Sequence, residues 1–231
     1  MQRALVTGSS SGIGEAVALR LLGDGWEVHG LDLAAPTIEH AQFTSSTVDL
    51  SDTAAAKAAA TAGCEAGAPD ALVHAAGILR VGKLGTLEPD DGMRMWQLHV
   101  QAATLLANIV VPKMQAAKSG RVVLIGSRVA RGIAGRSQYA ATKAALISLA
   151  RSWGAEVIAD GVTVNTVSPA ATRTGMLADP ARQTTAPRLP PIGRLIEPDE
   201  VASMVAYLLS PAAAAITGQD IQICGGSSLA S

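Results

Sequence analysis

Tyr139 and Lys143 are the residues of this sequence whose types and spacing point most directly to chemistry. They are four positions apart in a helical pattern, so both side chains lie on one helix face. A phenol has a pKa near ~10, but a neighbouring ammonium group stabilises the phenolate and lowers that pKa. Such a tyrosine can donate a proton to a carbonyl oxygen or take one from an alcohol. Ser127 ends the preceding predicted strand, and its hydroxyl could reach the same oxygen.

A glycine-rich turn, TGSSSGIG at residues 7–14, joins the first predicted strand to a helix. Gly8, Gly12 and Gly14 follow the spacing G-x3-G-x-G, and the helix N-terminus behind them offers unpaired N–H groups to a pyrophosphate. No Lys-Ser or Lys-Thr follows the last glycine, which excludes a P-loop. A tight turn without a ligand explains the glycines equally well.

Asp32 ends the second predicted strand, 18 positions after Gly14. A carboxylate there can accept hydrogen bonds from the hydroxyls of an adenosine ribose, and its charge would repel a 2′-phosphate. No Lys or Arg lies in 7–14 or just after Asp32, so the sequence favours NAD over NADP as the cofactor. Asp49 would close the adenine side of the same pocket; a role as a cap or turn residue accounts for it as well.

Short β-branched runs alternate with Ala-rich helical patterns along the chain. The predicted strands are residues 3–8, 27–33, 43–50, 70–77, 121–127, 162–169 and 220–226. The predicted helices are residues 11–25, 51–63, 89–117, 137–161 and 197–210. Near-continuous apolar strands are typical of a parallel sheet buried on both faces. We therefore expect an α/β fold with one Rossmann-like, doubly wound parallel sheet of about seven strands and helices on both faces.

The length of 231 residues fits a single cofactor-binding and catalytic domain over residues 1–231. Residues 171–196 lack periodicity, and so long a loop in a compact domain is typical of a substrate loop or lid. No apolar run reaches the ~18 to 20 residues of a membrane span, and a predicted strand right after Met1 leaves no room for a signal peptide. The net charge of −1 argues against a nucleic-acid partner. Cys64 and Cys224 fit no metal or redox spacing, so we expect a cytoplasmic protein with no metal site and no membrane partner.

Together these motifs resemble those of the short-chain dehydrogenase/reductase family, classical type, over essentially the whole chain. The turn at 7–14 is similar to the family's cofactor turn, HAAG at 74–77 to its NNAG strand end, and NTVSPAATRT at 165–174 to its N-x-V-x-P-G-x-x-x-T segment. Residues 193–226 resemble its last helix and strand. The resemblance implies NAD(H)-dependent hydride transfer to or from a small-molecule secondary alcohol or carbonyl substrate.

The resemblance also implies roles for individual residues. Tyr139 would be the acid–base, Lys143 would lower its pKa and hold the nicotinamide ribose, and Ser127 would hydrogen-bond the reacting oxygen. Thr174 would bind the carboxamide. The implied cofactor-binding positions are Gly8, Ser11, Gly12, Ile13, Gly14, Asp32, Leu33, Asp49, Leu50, Ala75, Ala76, Gly77, Tyr139, Lys143, Pro169, Ala170, Thr172 and Thr174. Family members usually associate through segments equivalent to 89–117, 137–160 and 220–224, so a homotetramer or homodimer is expected.

Three positions depart from the family pattern. His99 stands where the family has an Asn that supports a water linking the lysine to solvent. Either His99 takes over this catalytic proton relay, or it is a helix histidine satisfied by a backbone carbonyl. His74 occupies the first Asn position of NNAG and is expected to pack rather than react. Ala170 replaces the usual Gly after Pro169.

Positive charge concentrates in three loops that follow predicted strands, residues 78–84, 128–137 and 170–196. Their nine basic residues face one acid, Asp179; the nine are Arg80, Lys83, Arg128, Arg131, Arg136, Arg173, Arg182, Arg188 and Arg194. Arginine can bind a carboxylate through two parallel hydrogen bonds. Arg80, Arg128, Arg131 and Arg136 are therefore the candidate residues for an anionic substrate; solvated loop arginines are the alternative.

Three functions stay open at this point. The first is an NAD-dependent dehydrogenase acting on an anionic or polyol-like alcohol. The second is a 3-oxoacyl-thioester reductase of the acyl-carrier-protein type. The third is a catalytically weak relative that binds a nucleotide and acts through a partner, an interpretation that rests on His99 and is opposed by the intact set of Ser127, Tyr139 and Lys143.

Overall fold

The fold is built on one seven-stranded parallel sheet. The computed structural model describes residues 1–65, 67–177 and 189–229. Its strands are β1 (Arg3–Thr7), β2 (Glu27–Asp32), β3 (Phe43–Thr47), β4 (Ala71–His74), β5 (Gly120–Ile125), β6 (Val162–Pro169) and β7 (Asp220–Ile223). They are parallel throughout, in the order β3-β2-β1-β4-β5-β6-β7. The predicted α/β fold is confirmed, although several strands end earlier than predicted because their last residues already belong to the site loops.

Helices cover both faces of the sheet. They are α1 (Gly12–Gly23), α2 (Thr53–Ala62), α3 (Pro89–Trp96), α4 (Ala102–Ala116), α5 (Ser137–Val157) and α6 (Pro198–Leu209). Successive strand residues point to opposite faces, so Val6 of β1 joins the core under α1 and α6, whereas Leu5 joins the core under α2, α4 and α5. None of the helices among the described residues is long and apolar enough to cross a membrane.

The long helix predicted over 89–117 is present without a break in its helical backbone, but it is not α-helical throughout. α3 ends at Trp96, a π-helical turn occupies Gln97–Gln101, and α4 begins at Ala102. Isolated π-helical turns in longer helices often occur at functional sites. His99 and Val100 are the buried residues of this turn, so the irregularity lies where His99 meets the interior.

The sheet order creates the place where a ligand can bind. β1 and β4 are neighbours although two strands and two helices separate them in sequence, so the chain connections diverge on either side of this pair. Ligands of open parallel sheets bind in the crevice beyond the carboxyl ends of the strands at such a switch point. The loops after β1, β4, β5 and β6 all meet there.

Candidate active site

A cavity of about 620 Å³ lies beyond the carboxyl ends of the strands. Every cofactor-binding position implied by the sequence lines it, and so do Ser127 and His99. The sequence missed further lining residues, mostly apolar: Val48, Ile78, Leu79, Leu98, Ile125, Gly126, Val129, Ile133, Ala171, Gly175, Met176 and Leu177. These residues belong to no motif, so no signal in one sequence could have marked them as cavity residues.

The glycines of the first turn allow backbone segments to approach closely. A Cβ atom at Gly8, whose φ is +70°, would lie 2.9 Å from the backbone nitrogen of Ala76, and one at Gly14 would lie 2.1 Å from the Gly8 carbonyl oxygen. A Cβ at Gly12 would lie 3.1 Å from the methyl carbon of Thr174. Ser11, the N-cap of α1, makes no side-chain capping hydrogen bond. The helix N-terminus thus faces the cavity without a side-chain cap.

Asp32 lines the cavity at the end of β2, and two backbone N–H groups fix its carboxylate. Its Oδ2 accepts a hydrogen bond from the backbone N–H of Ser10 at 2.9 Å, and its Oδ1 accepts one from that of Ala34 at 2.9 Å. Asp49 also lines the cavity, and its carboxylate accepts from both the hydroxyl and the N–H of Ser51. These bonds lower the pKa of Asp49. Asp49 is therefore a turn residue and a cavity residue at once.

His74 is buried at the end of β4 as part of a closed hydrogen-bond network. The Thr7 hydroxyl oxygen accepts from the N–H groups of Ala75 and Ala76, both at 3.0 Å, and lies 3.0 Å from Nδ1 of His74. Nε2 lies 3.1 Å from the carbonyl oxygen of Leu98. Because that carbonyl only accepts, the proton belongs on Nε2, and Thr7 donates to Nδ1. Burial lowers the pKa of His74 to about 4, so this ring packs in neutral form.

His99 is buried between α5 and the loop after β4. Its Nε2 accepts a hydrogen bond from the backbone N–H of Ile78 at 3.0 Å, which places the proton on Nδ1. Nδ1 lies 2.8 Å from the hydroxyl oxygen of Thr142, which itself donates to the backbone carbonyl of Tyr139 at 2.9 Å. Burial, and then the charge of Lys143, lower the pKa of His99 well below its ordinary value. The ring also meets that of Tyr139 at 86°, with the centroids 5.7 Å apart.

The structure brings Ser127, Tyr139 and Lys143 to one end of the cavity. Ser127 follows β5, and its Oγ accepts from the N–H of Val129 at 3.2 Å. Tyr139 lies in the first turn of α5 and is 8% exposed. The Lys143 ammonium nitrogen lies 5.8 Å from the centre of the Tyr139 ring and donates to the carbonyl of Ile125 at 2.8 Å. Burial lowers the pKa of Lys143 to about 7.

The four candidate substrate arginines divide into two pairs. Arg128 and Arg136 line the cavity, whereas Arg80 and Arg131 do not. Arg80 lies 3.8 Å from the carboxylate of Asp91, and Arg131 is exposed. The predicted contributions of Arg182, Arg188 and Asp179 fall outside the described residues.

The described ends of the predicted substrate loop are tied to each other. The N–H of Ile196 donates to the carbonyl of Ala171 at 3.0 Å, and that of Arg173 donates to the carbonyl of Ile196 at 2.8 Å. A short 3-10 turn at Gly175–Leu177 then lines the cavity. Residues 178–188 lie outside the described part, so the lid stays a prediction.

Comparison with known proteins now identifies the family. A family model described as enoyl-(acyl carrier protein) reductase matches residues 8–228. The 3-oxoacyl-(acyl-carrier-protein) reductase FabG of Vibrio harveyi is 37% identical over 234 residues, which is 96% of each chain. The chain belongs to the short-chain dehydrogenase/reductase family. The predicted membership is thereby confirmed, and the protein is an oxidoreductase.

Two further similarities cover nearly the whole chain. The 2,3-dihydro-2,3-dihydroxybenzoate dehydrogenase of Escherichia coli K12 is 35% identical over 238 residues, covering 97% of this chain and 96% of the relative. A crystal structure of an actinorhodin polyketide ketoreductase variant with NADPH superimposes with a TM-score of 0.89 at 28% identity, covering 98% of this chain and 97% of the other. The family thus includes similar proteins named as reductases and as dehydrogenases.

Proposed function

We propose that this oxidoreductase transfers a hydride between NAD(H) and a secondary alcohol or carbonyl substrate. The observation that carries the proposal is one cavity lined by every implied cofactor position and by Ser127, Tyr139 and Lys143. The residues fit a nicotinamide dinucleotide, because the turn at Gly8 and Gly14 has no room for a Cβ and the N-terminus of α1 lacks a side-chain cap. When bound, the dinucleotide supplies the hydride donor or acceptor.

The end of the cavity formed by Ser127, Tyr139 and Lys143 is called the reaction end here. Its side chains transfer the proton and hydrogen-bond the reacting oxygen. In oxidation the CH–OH group becomes C=O: the carbon gives up a hydride, and the hydroxyl proton passes to the Tyr139 phenolate. The Lys143 ammonium nitrogen, 5.8 Å from the ring centre, stabilises that phenolate. The phenolate in turn favours the protonated lysine and so opposes the burial that lowers the pKa of Lys143 to about 7. Since Oγ of Ser127 already accepts from Val129, its own proton can be donated to the substrate oxygen. Reduction runs through the same groups in reverse.

A substrate screen following NADH absorbance in the oxidative direction tests this function. Secondary alcohols of several classes are offered to the parent protein and to Tyr139→Phe at mildly alkaline pH. We expect turnover by the parent and a loss of about 10²- to 10⁴-fold in the variant, the range for a missing general acid–base. NADH fluorescence should report binding by both proteins. Binding without turnover of any alcohol by the parent contradicts the proposal and favours the catalytically weak relative.

We further propose that the cofactor is NAD rather than NADP. Asp32 lines the cavity with its carboxylate fixed by two backbone N–H groups. The cations that line the cavity among the described residues, Arg128, Arg136 and Lys143, all follow β5 and lie away from Asp32. The structure of the similar ketoreductase contains NADPH, so similarity to it does not favour NAD. The preference for NAD is inferred from the negative charge of Asp32. We expect Asp32→Ala to raise kcat/KM for NADP at least about tenfold relative to that for NAD, the effect of removing roughly 1.4 kcal/mol of repulsion. An unchanged cofactor ratio contradicts the assignment.

Reduction of a 3-oxoacyl thioester is the second candidate function. The specific observation in its favour is the 37% identity to the reductase from Vibrio harveyi over nearly the whole of both chains. The 35% identity to a dehydrogenase named for a dihydroxybenzoate favours the oxidation of an alcohol bearing a carboxylate. Turnover of acetoacetyl thioesters with NADH or NADPH, measured beside the alcohol screen, separates the two.

A further inference from the structure

The reaction end of the cavity combines an apolar wall with two arginines. The wall consists of aliphatic side chains packed around Tyr139: Ile78, Leu79, Val129, Ile133 and Met176. Arg128 and Arg136 line the same region. Among the described residues, the acids that line the cavity are Asp32, the last residue of β2, and Asp49, which follows β3; both lie at the opposite end. Positive charge at the reaction end therefore has no acid beside it in the described lining.

Arg136 is a partly buried cation close to the reacting group. It stands three residues before Tyr139, at the N-terminus of α5. Its Nε atom is buried and has no hydrogen-bond partner among the described residues. Burial lowers the pKa of this guanidinium, Tyr139 raises it, and the charge of Arg128 lowers it again. A buried donor without a partner costs free energy, and an anion at this point would offset that cost.

Arg128 brings a second positive charge to the same place. Its Nη1 donates to the backbone carbonyl of Ser227 at 3.3 Å, and within the described chain neither it nor Arg136 has an acidic partner. Three other loop arginines do have one: Arg80 with Asp91, Arg173 with Glu197 and Arg194 with Glu200. The two cavity arginines are thus distinguished from their neighbours by both position and pairing.

We propose that Arg128 and Arg136 bind a carboxylate of the substrate, so that the protein interconverts hydroxy acids and oxo acids. This inference rests on the proposed function. Guanidinium groups match the planar carboxylate with two parallel N–H donors, and desolvation strengthens such charge-assisted bonds. The aliphatic wall suits a short apolar body between the carboxylate and the carbinol carbon. Ser127 and Tyr139 remain available to the carbinol oxygen.

Matched acids and amides test this proposal, because the members of each pair have nearly the same size and differ in the charge of one group. Lactate, 3-hydroxybutyrate and their longer homologues are compared with the corresponding primary amides, using NAD and the parent, Arg136→Gln, Arg128→Gln and Arg131→Gln. Butan-2-ol, sorbitol and a phosphorylated polyol complete the panel. Arg131 belongs to the same segment but lies outside the cavity lining, so its variant controls for net charge. NADH fluorescence checks that each variant still binds the dinucleotide, and Arg136→Lys replaces Arg136→Gln if the latter does not fold.

We expect the parent to prefer acids over amides by about tenfold or more in kcat/KM. Arg136→Gln should lower kcat/KM for acids by about 10- to 100-fold, the effect of losing one or two charge-assisted hydrogen bonds. Its effect on amides, and the effect of Arg131→Gln on the preference, should stay within about twofold, less than ~0.5 kcal/mol. An equal loss for acids and amides overturns the carboxylate site, as does turnover confined to the neutral or the phosphorylated alcohols. Failure of every alcohol with the parent instead overturns the proposed function itself.

Discussion

At the scale of single residues, the role of His99, which stands where the family has an Asn, can be inferred from its hydrogen-bond partners. Both ring nitrogens are engaged: Ile78 donates to Nε2, and Nδ1 donates to Thr142. The hydroxyl of Thr142 in turn donates a hydrogen bond to the backbone carbonyl of Tyr139. A ring held neutral with both nitrogens occupied has no position from which to accept and release a proton. We therefore propose that His99 is a positioning residue for Tyr139 rather than a member of a relay.

Substitution of His99 distinguishes positioning from proton relay. His99→Ala should lose about 1–3 kcal/mol of stability, because the Ile78 N–H and the Thr142 hydroxyl lose a buried partner. His99→Asn retains an acceptor and a donor and should stay within about threefold of the parent kcat/KM, less than ~1 kcal/mol. Both variants should keep the parent's pH–rate profile, recorded together with thermal unfolding. Loss in His99→Asn of an inflection near neutral pH that the parent shows would support the relay instead.

Single residues were predictable where their chemistry depends on sequence spacing. Tyr139 and Lys143 are one helical turn apart, and Asp32 lies at the end of a strand, so the sequence alone could assign these positions to a common site. The partners of His99 lie 21 and 43 positions away from it. Threonine hydroxyls and backbone N–H groups at such separations leave no pattern in one sequence, which is why the alternative expected from the sequence named a backbone carbonyl.

At the scale of elements, the turn between β1 and α1 is fixed by what its glycines exclude. A Cβ at Gly14 would approach the carbonyl oxygen of Gly8 to 2.1 Å, far inside van der Waals contact, whereas Gly23 at the end of the same helix has open space around it. The turn and the start of the helix must therefore move together if Gly14 changes. The same close approach is what the phosphate-binding turn of such folds requires.

Gly14→Ala tests whether this packing is required for cofactor binding. We expect a loss of about 1–3 kcal/mol of stability, or more, from overpacking, together with weakened NADH binding in fluorescence titration. Gly23→Ala is the matched control, since alanine is favoured over glycine in a helix by up to about 1 kcal/mol and its Cβ meets nothing. Equal binding by both variants would show that the turn tolerates displacement.

The elements also show where prediction from periodicity stops. Apolar periodicity placed the helices at 11–25 and 137–161 close to α1 and α5, because each buries one face against the sheet. The same reasoning predicted one α-helix over α3 and α4, since apolar residues lie on several faces of this segment and a shift of the pattern by one residue does not stand out. The π-helical turn at Gln97–Gln101 is defined by its backbone hydrogen bonds, which the sequence pattern does not indicate.

At the scale of the whole molecule, the sheet collects distant segments into one site. Most residues that line the cavity lie at or just after the carboxyl ends of β1 to β6, and the parallel arrangement brings these ends to one edge of the sheet. The expected homodimer or homotetramer and the cytoplasmic setting stay predictions. Burial of titratable groups in the interior has a consequence for stability, because His74, His99 and Lys143 are all buried and have lowered pKa values.

The pH dependence of stability measures this burial directly. An unfolded chain protonates His74 below its ordinary pKa of 6.5, but the folded protein does so only near pH 4. The unfolded state therefore binds more protons in this window, and the free energy of unfolding falls as pH falls, by about 1.4 kcal/mol per pH unit and about 3 kcal/mol in all. His99 acts in the same direction.

Denaturant unfolding of the parent and His74→Asn between pH 7.5 and pH 4 is the measurement, with roughly a 3 kcal/mol smaller decline expected in the variant. His40→Asn serves as the control, because His40 is exposed and its loss should leave the pH dependence of the parent. Parallel curves for the parent and His74→Asn would mean that His74 does not remain neutral in the folded protein. In that case the Thr7–His74–Leu98 network would have to accommodate a charged ring beside Lys143.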